Sequence, residues 1–373
     1  MVANIIIGVL ALLIIWLIHD KRKALNVCFI VVTTFLCIRY EWGNDYDAYL
    51  ELYDTFKDLN FGLFDINSSR AARIHEEFGW VIINRFFALS GLGFFGMIMA
   101  LTVFESWVIY RTIVKFVSTD YYWVSILFWI FGGSFCVYYS MMRQFLCICL
   151  FLLVVDLMIQ KERPGYLWWS IGIILLGTTI HRTNIVMLAT LPLFYVHVKQ
   201  GRNTVLWIIV LLILFLAWRF LGRNLIESSL LSFIENSEDF VSYMNYTEWE
   251  SVKAHTGLGV LFRYMMFVVW LFLFFKVDEK KQSIIILGLV SYFLEVVIDI
   301  IPMASRFTMY MTVMDMVRWA WLISYGKKYP FLYVFGVVEL VLLVKGFHDF
   351  YYSPIWFERC FNYHTIFSAP SWM

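Results

Sequence analysis

Three short polar clusters, Arg143-Gln144, His181-Arg182 and Ser305-Arg306, each lie at the seam between two long apolar runs. A guanidinium at a membrane edge is costly to keep unless an anion or a carboxylate meets it, so the three clusters predict a shared anion-binding site. Groups of opposite charge stand in two further motifs. Arg39-Tyr40-Glu41-Trp42-Gly43-Asn44-Asp45-Tyr46-Asp47-Ala48-Tyr49 follows an early apolar run, and Glu77-Phe78-Gly79-Trp80 opens a later one. Asp45 and Glu77, or the imidazole of His181, are the side chains that could take a proton from an attacking hydroxyl.

The elements that must position these groups are membrane helices. Of the 373 residues 61% are hydrophobic, and a mean hydropathy of +0.74 means more apolar surface than a soluble core could bury. The expected fold is an all-α polytopic membrane protein of about twelve transmembrane helices, each near the ~20 residues that cross a bilayer. The expected spans are 3–18, 24–38, 93–114, 121–139, 143–160, 165–180, 184–198, 203–221, 257–276, 283–300, 306–324 and 330–347. The whole chain, 1–373, reads as one membrane domain with outer segments at 39–92 and 222–256 and an outer tail at 348–373. Residues 78–92 are too short to count as a span and read as an amphipathic helix on the outer surface.

Orientation follows from the basic residues. Lys21, Arg22 and Lys23 follow the first span, and counting onward puts Arg111, Lys115, Lys161, Arg163, Lys199, Arg202, Lys276, Lys280, Lys281, Lys327 and Lys328 in inside turns. The short outside turns then hold only Arg143, Arg182 and Arg306. The active face is therefore expected outside the cytoplasm.

The net charge of +1 says little about partners; no nucleic-acid partner is expected. Cys28, Cys37, Cys136, Cys147 and Cys149 read as small apolar residues within spans and only Cys360 lies outside, so neither a disulfide framework nor a metal spacing is expected. Asp45-Tyr46-Asp47 spells the D-x-D of metal-dependent glycosyl transfer, yet three arginines already supply positive charge, so no metal and no cofactor are expected. Arg39 stands beside these acids and could pair with Asp45 or Glu77. Deeper charges include Glu105, Asp156, Glu295, Asp299, Asp315, Arg318 and Glu339. Asp315 and Arg318, three apart on a helix, can neutralise one another. Glu295 and Asp299 share a face and could line a cavity, as in a proton-coupled carrier.

The outer segments and the tail are rich in aromatic rings, which stack on pyranose faces, while their carboxylates and amides can take up sugar hydroxyls. The tail either lids the site or lies flat on the bilayer. In order along the chain, Arg39 with Gly43-Asn44-Asp45-Tyr46-Asp47-Ala48-Tyr49, Glu77-Phe78-Gly79-Trp80, Met142-Arg143-Gln144, His181-Arg182-Thr183 and Arg306 with Tyr310 resemble the motifs of the EpsG family of bacterial exopolysaccharide proteins, related to Wzy-type polysaccharide polymerases. The resemblance covers nearly the whole chain.

It implies a GT-C type glycosyltransferase of the bacterial inner membrane. Such a polymerase transfers a growing glycan from undecaprenyl diphosphate to the non-reducing end of another lipid-linked repeat unit, building an O-antigen, capsule or exopolysaccharide. Donor and acceptor glycans, membrane lipid and a chain-length regulator protein are the partners implied. Breaking a sugar–diphosphate bond builds negative charge on the leaving group, and arginine meets it with a planar fork that cannot lose its proton. Arg143, Arg182 and Arg306, with Arg39, Gln144, Tyr46 and Tyr310, are the expected diphosphate and glycan ligands. Asp45, Glu77 and His181 are the expected catalytic groups, with Asp45 preferred as base and Glu77 as the holder of an arginine. The alternative is a transporter or flippase of lipid-linked sugars, which should show two matched halves with broken helices at the midplane; no such duplication is seen. A membrane acyltransferase would want its histidine open to the cytoplasm, and His181 faces the other way.

Overall fold

The computed structural model describes residues 1–57, 77–132, 135–161, 164–198, 204–222, 258–298, 305–353, 357 and 359–368. They divide into two compact units, one of Met1–Leu188 with Trp319–Met373 and one of Ala189–Arg318.

The first unit opens with α1 (Val2–Leu17) and α2 (Lys21–Cys37), whose start is capped by the Asp20 carboxylate accepting from the Arg22 and Lys23 amides. A two-residue strand β1 (Arg39–Tyr40) leads to α3 (Tyr46–Lys57). Then come α4 (Phe78–Leu89), α5 (Gly93–Phe116), α6 (Tyr122–Phe131), α7 (Phe135–Ser140), α8 (Met142–Gln160) and α9 (Tyr166–Ile180). Helix α8 packs on α5, α7 and α9, and α4 on α3, α5 and α9. With hydrophobic residues all round, α8 has no polar face to offer water and is the most enclosed long helix of the unit.

After a 3-10 stretch at Arg182–Tyr195, the second unit holds α10 (Thr204–Ala217), α11 (Leu258–Phe274), α12 (Glu279–Ile298) and α13 (Ser305–Thr312). Helix α11 packs on α10 and α12, and α12 on α13. The chain continues as α14 (Asp315–Gly326) and α15 (Phe331–Tyr351), and ends in strand β2 (His364–Thr365). Among the described residues, α5, α8 and α15 are long and apolar enough to cross a membrane. Helix α15 turns Val334, Val337, Val341 and Val344 outward, a surface suited to lipid and not to water.

Each expected span coincides with a helical element, but several are shorter or broken. The run expected as one helix at 121–139 is α6, which ends at Gly132, followed by α7; glycine is a poor helix former. The run at 306–324 is α13 followed by α14. The run at 184–198 winds as a 3-10 helix through Pro192, whose ring cannot donate the backbone bond an α-helix needs there. The 12 residues of α4 reach about 18 Å, too short to cross, as expected. Its polarity is the reverse of a helix lying against water. Asn84 and Arg85 are 0% and 1% exposed, while Phe86 and Leu89 are 52% and 65% exposed.

The cysteine expectation is overturned: Cys136, on the first turn of α7, is bonded to Cys360 in the tail. The described part of the tail is tied to the start of the first outer segment. Thr365 and His364 pair antiparallel with Arg39 and Tyr40, and Tyr363 stacks on Phe35 with ring centroids 4.2 Å apart. The Gly43 amide donates to the Arg359 carbonyl at 3.0 Å, and the Arg359 guanidinium meets Asp47 at 2.7 Å. Sequence distance hid this pairing, because the two cysteines are 224 residues apart. Replacing Cys360 with serine is expected to lower stability by about 2–4 kcal/mol and expose the tail to proteases. The check is limited proteolysis with non-reducing electrophoresis, in which the wild-type chain alone shifts on reduction.

Candidate active site

Glu77 occupies the cap position of α4, yet its carboxylate makes no bond to its own helix. It reaches across to two other elements. Oε2 lies 2.8 Å from the Arg143 guanidinium on the first turn of α8, and Oε1 accepts the Arg182 backbone N–H at 3.3 Å just past the end of α9. Both side chains of the ion pair are partly enclosed, Arg143 at 25% and Glu77 at 14% exposure, so the pair lies between the solvated and the fully buried cases.

What brings Glu77 there is Gly79. A β-carbon on Gly79 would lie 2.9 Å from the carbonyl carbon and oxygen of Thr179, so only glycine lets the start of α4 lie against the last turn of α9. Trp80, fully buried, then fixes the register by packing edge-on against Tyr49, centroids 5.4 Å apart.

Tyr49 is the third wall. The Arg143 guanidinium carbon stands 5.9 Å from the centre of its ring, and the Arg143 backbone N–H points at its hydroxyl oxygen at 3.5 Å. Burial pushes the Tyr49 hydroxyl up to about 12, with Arg143 pulling against that and the Asp45 charge adding to it. The phenol therefore stays neutral at physiological pH. Removing its hydroxyl in Tyr49→Phe is expected to change turnover less than about threefold. Tyr49→Ala, which also deletes the face under Arg143, costs about 1–2 kcal/mol, or about 5- to 30-fold in rate. Steady-state chain-extension rates of the two variants check this.

Asp45 sits at the entry to α3, where its carbonyl accepts the Tyr49 N–H at 3.0 Å and its own N–H donates to Ser140 Oγ at 3.3 Å. That close approach needs Gly43, which has φ +104° and faces the Ser140 Cα at 3.0 Å from a β-carbon position. His181 closes α9, with Nδ1 3.2 Å from the Thr183 hydroxyl, and the Arg182 side chain is exposed.

A family model, that of the EpsG family, matches residues 22–365 and so takes in all five motifs. The chain belongs to the EpsG family. No curated protein and no solved structure matches it. Membership places this EpsG-family chain in polysaccharide biosynthesis at a membrane, in accord with its apolar helices.

Within the first unit of the EpsG-family chain, the structure brings together Glu77, Arg143, the Arg182 backbone and Tyr49, with Asp45 felt at Tyr49. It does not bring Arg39 to Asp45 or Glu77. That guanidinium is 1% exposed and donates to the Leu36 carbonyl at 2.7 Å, Thr102 Oγ1 at 2.6 Å and the Tyr139 carbonyl at 3.4 Å, with the Glu105 charge nearby. Tyr46 is buried edge-on between Tyr40 and Phe94, and Gln144 is buried on the first turn of α8. Arg306, half-buried, and Tyr310, buried, belong to α13 in the second unit. In that unit Arg318 pairs with Asp315 as their spacing implied, and its guanidinium fills the space a side chain at Gly288 would need. The cavity expected from Glu295 and Asp299 rests on side chains outside those described.

Two contributors went unassigned in the sequence although they stand inside the motifs. Tyr49 and Gly79 are letters of the motifs, but only geometry gives one a cation to face and the other a backbone to approach.

Proposed function

We propose that this EpsG-family protein polymerises lipid-linked oligosaccharide repeat units. The glycan of one unit passes from undecaprenyl diphosphate to a hydroxyl of the next, at the outer face of a bacterial inner membrane. The bond from the anomeric carbon to the diphosphate oxygen breaks, the acceptor oxygen takes its place on that carbon, a carboxylate receives the hydroxyl proton, and undecaprenyl diphosphate leaves.

The observation that carries this reading is the Glu77–Arg143 pair at a partly open helix end. A carboxylate holds the guanidinium where a diphosphate oxygen would bind, so the cation is already oriented and costs little to reorganise when substrate arrives. An arriving diphosphate displaces Glu77 from Arg143, and the N-terminus of α8 adds its own positive potential. Asp45 is the proposed base, with His181 its alternate and Arg182 a further donor contact, while Arg306, Tyr310 and Gln144 are proposed as donor and glycan ligands from their motifs alone. Arg39 and Tyr46 hold the floor beneath them. A GT-C type architecture and inverting displacement accord with this assignment.

The Cys136–Cys360 bond supports the outward orientation, because disulfides persist outside the cytoplasm and this one joins the tail to the element just before Arg143. The deciding experiment mixes purified protein with lipid-linked repeat units in detergent, with no membrane and no gradient. Longer glycans are expected; a carrier would make no new bonds under those conditions.

A further inference from the structure

The far end of the same helix carries a second charged site that the polymerisation chemistry does not use. Asp156 lies about 20 Å along α8 from Arg143 by helix rise. Its carboxylate, with a side chain 9% exposed, is met from α5 by Arg111 at 2.7 Å and Lys115 at 2.5 Å. These three groups border a cleft of about 310 Å³ whose other walls are Trp107, Leu153, Leu157, Gln160 and Ile173, from α5, α8 and α9. Arg111 also packs over the Trp107 ring, 5.7 Å from its centre.

Two cations share one carboxylate, so the cleft keeps an excess of one positive charge. Arg111, 43% exposed at its side chain, presents that charge to the opening. The depth of its charged groups is that of a lipid headgroup. Both α5 and α8 are long enough to cross a membrane, and Arg111, Lys115 and Asp156 lie within about a turn and a half of their C-terminal ends, with Trp107 and Leu153 one turn deeper. Trp168 and Trp169 on the first turn of the adjoining α9 are 75% and 63% exposed, as tryptophans of an interfacial belt are. A basic pocket between membrane helices with apolar walls fits a phosphodiester attached to acyl chains better than a free ion, since Leu153, Leu157 and Trp107 offer a soluble anion nothing.

We propose that the cleft between α5, α8 and α9 binds the headgroup of an anionic phospholipid in the leaflet opposite the Glu77–Arg143 site, its phosphate on Arg111 and Lys115 and its glycerol region against Trp107. The bound lipid would clamp the two long helices that carry the site at their other end.

The test uses the full-length protein in detergent, stripped of lipid and then supplied with phosphatidylglycerol, phosphatidylcholine or inorganic phosphate. Adducts are followed by native mass spectrometry and melting temperature by fluorescence. Phosphatidylglycerol is expected to be retained longer than phosphatidylcholine and to raise the melting temperature. Arg111→Gln and Lys115→Gln are each expected to cut that preference about fivefold, the worth of one interfacial cation. Arg111→Lys keeps most of it. Because Lys115→Gln loosens a buried carboxylate, Trp107→Leu serves as a second probe that leaves the charges alone: both lipids weaken and the preference between them stays. Equal retention of the two lipids, equal stabilisation by inorganic phosphate, or an unchanged preference in Arg111→Gln overturns the proposal.

Discussion

Arg143→Ala is expected to lower chain elongation by about 10²- to 10³-fold, the loss typical of removing one pre-organised donor from a developing oxyanion. The fall should appear in kcat more than in KM, because the strongest demand on the guanidinium comes when the sugar–diphosphate bond breaks and charge collects on the leaving oxygen. Folding should survive. The side chain is 25% exposed, and Glu77 keeps the Arg182 backbone N–H as a partner, so the stability loss falls between the solvated and buried limits, about 1–3 kcal/mol. Arg143→Lys separates charge from shape. Lysine restores a cation for Glu77 but not the planar fork, and about tenfold of the loss should remain. Rates from lipid-linked repeat units, read as chain-length distributions over time, decide it. Full activity in Arg143→Ala would remove Arg143 from the chemistry altogether.

The second large effect comes from a residue with no side chain. Gly79→Ala drives a methyl into Thr179 Oγ1 and to 2.9 Å from the Thr179 carbonyl group, and the backbone of α9 cannot yield as a side chain can. Helix α4 must back away, and Glu77, which lies two residues before the contact, goes with it. Overpacking of this kind costs about 1–3 kcal/mol in stability. A displacement near 1 Å at a catalytic group costs about 10²-fold in rate, so activity should fall much further than stability. Thr179→Ala relieves the hydroxyl contact but not the carbonyl one, and is expected to rescue Gly79→Ala only in part. Complete rescue would mean that the clash is confined to the side chain and that α4 does not move.

Much of this was legible in the amino-acid sequence because hydrophobic runs and their polar seams mark helices and helix ends directly. Arg143 at the start of α8, His181 at the close of α9 and Glu77 before α4 all stand where the runs placed them. The role of Glu77 as holder of an arginine was also readable, since an unpaired guanidinium at a membrane edge demands a carboxylate. What the pattern could not carry was contact between distant segments. Arg39 stands beside an acidic loop in sequence, yet its backbone is drawn into β1 by the returning tail and its side chain is aimed back toward Thr102 and Tyr139. Cys136 looked like filler in an apolar run until the tail brought Cys360 to it. Helix α4 was read from its composition as amphipathic, but composition does not say which face meets protein. Arg85 and Asn84 turn inward because their neighbours α3, α5 and α9 supply an interior, and Phe78 and Phe86 are left outside.

In the proposed reaction Arg143 exchanges the Glu77 carboxylate for the donor's diphosphate. A structure of the protein with undecaprenyl diphosphate bound tests it most directly. A phosphate oxygen is expected at hydrogen-bond distance, about 2.7–2.9 Å, from the Arg143 guanidinium, with Glu77 moved off it. A diphosphate seated elsewhere, with the Glu77–Arg143 pair intact, would contradict it.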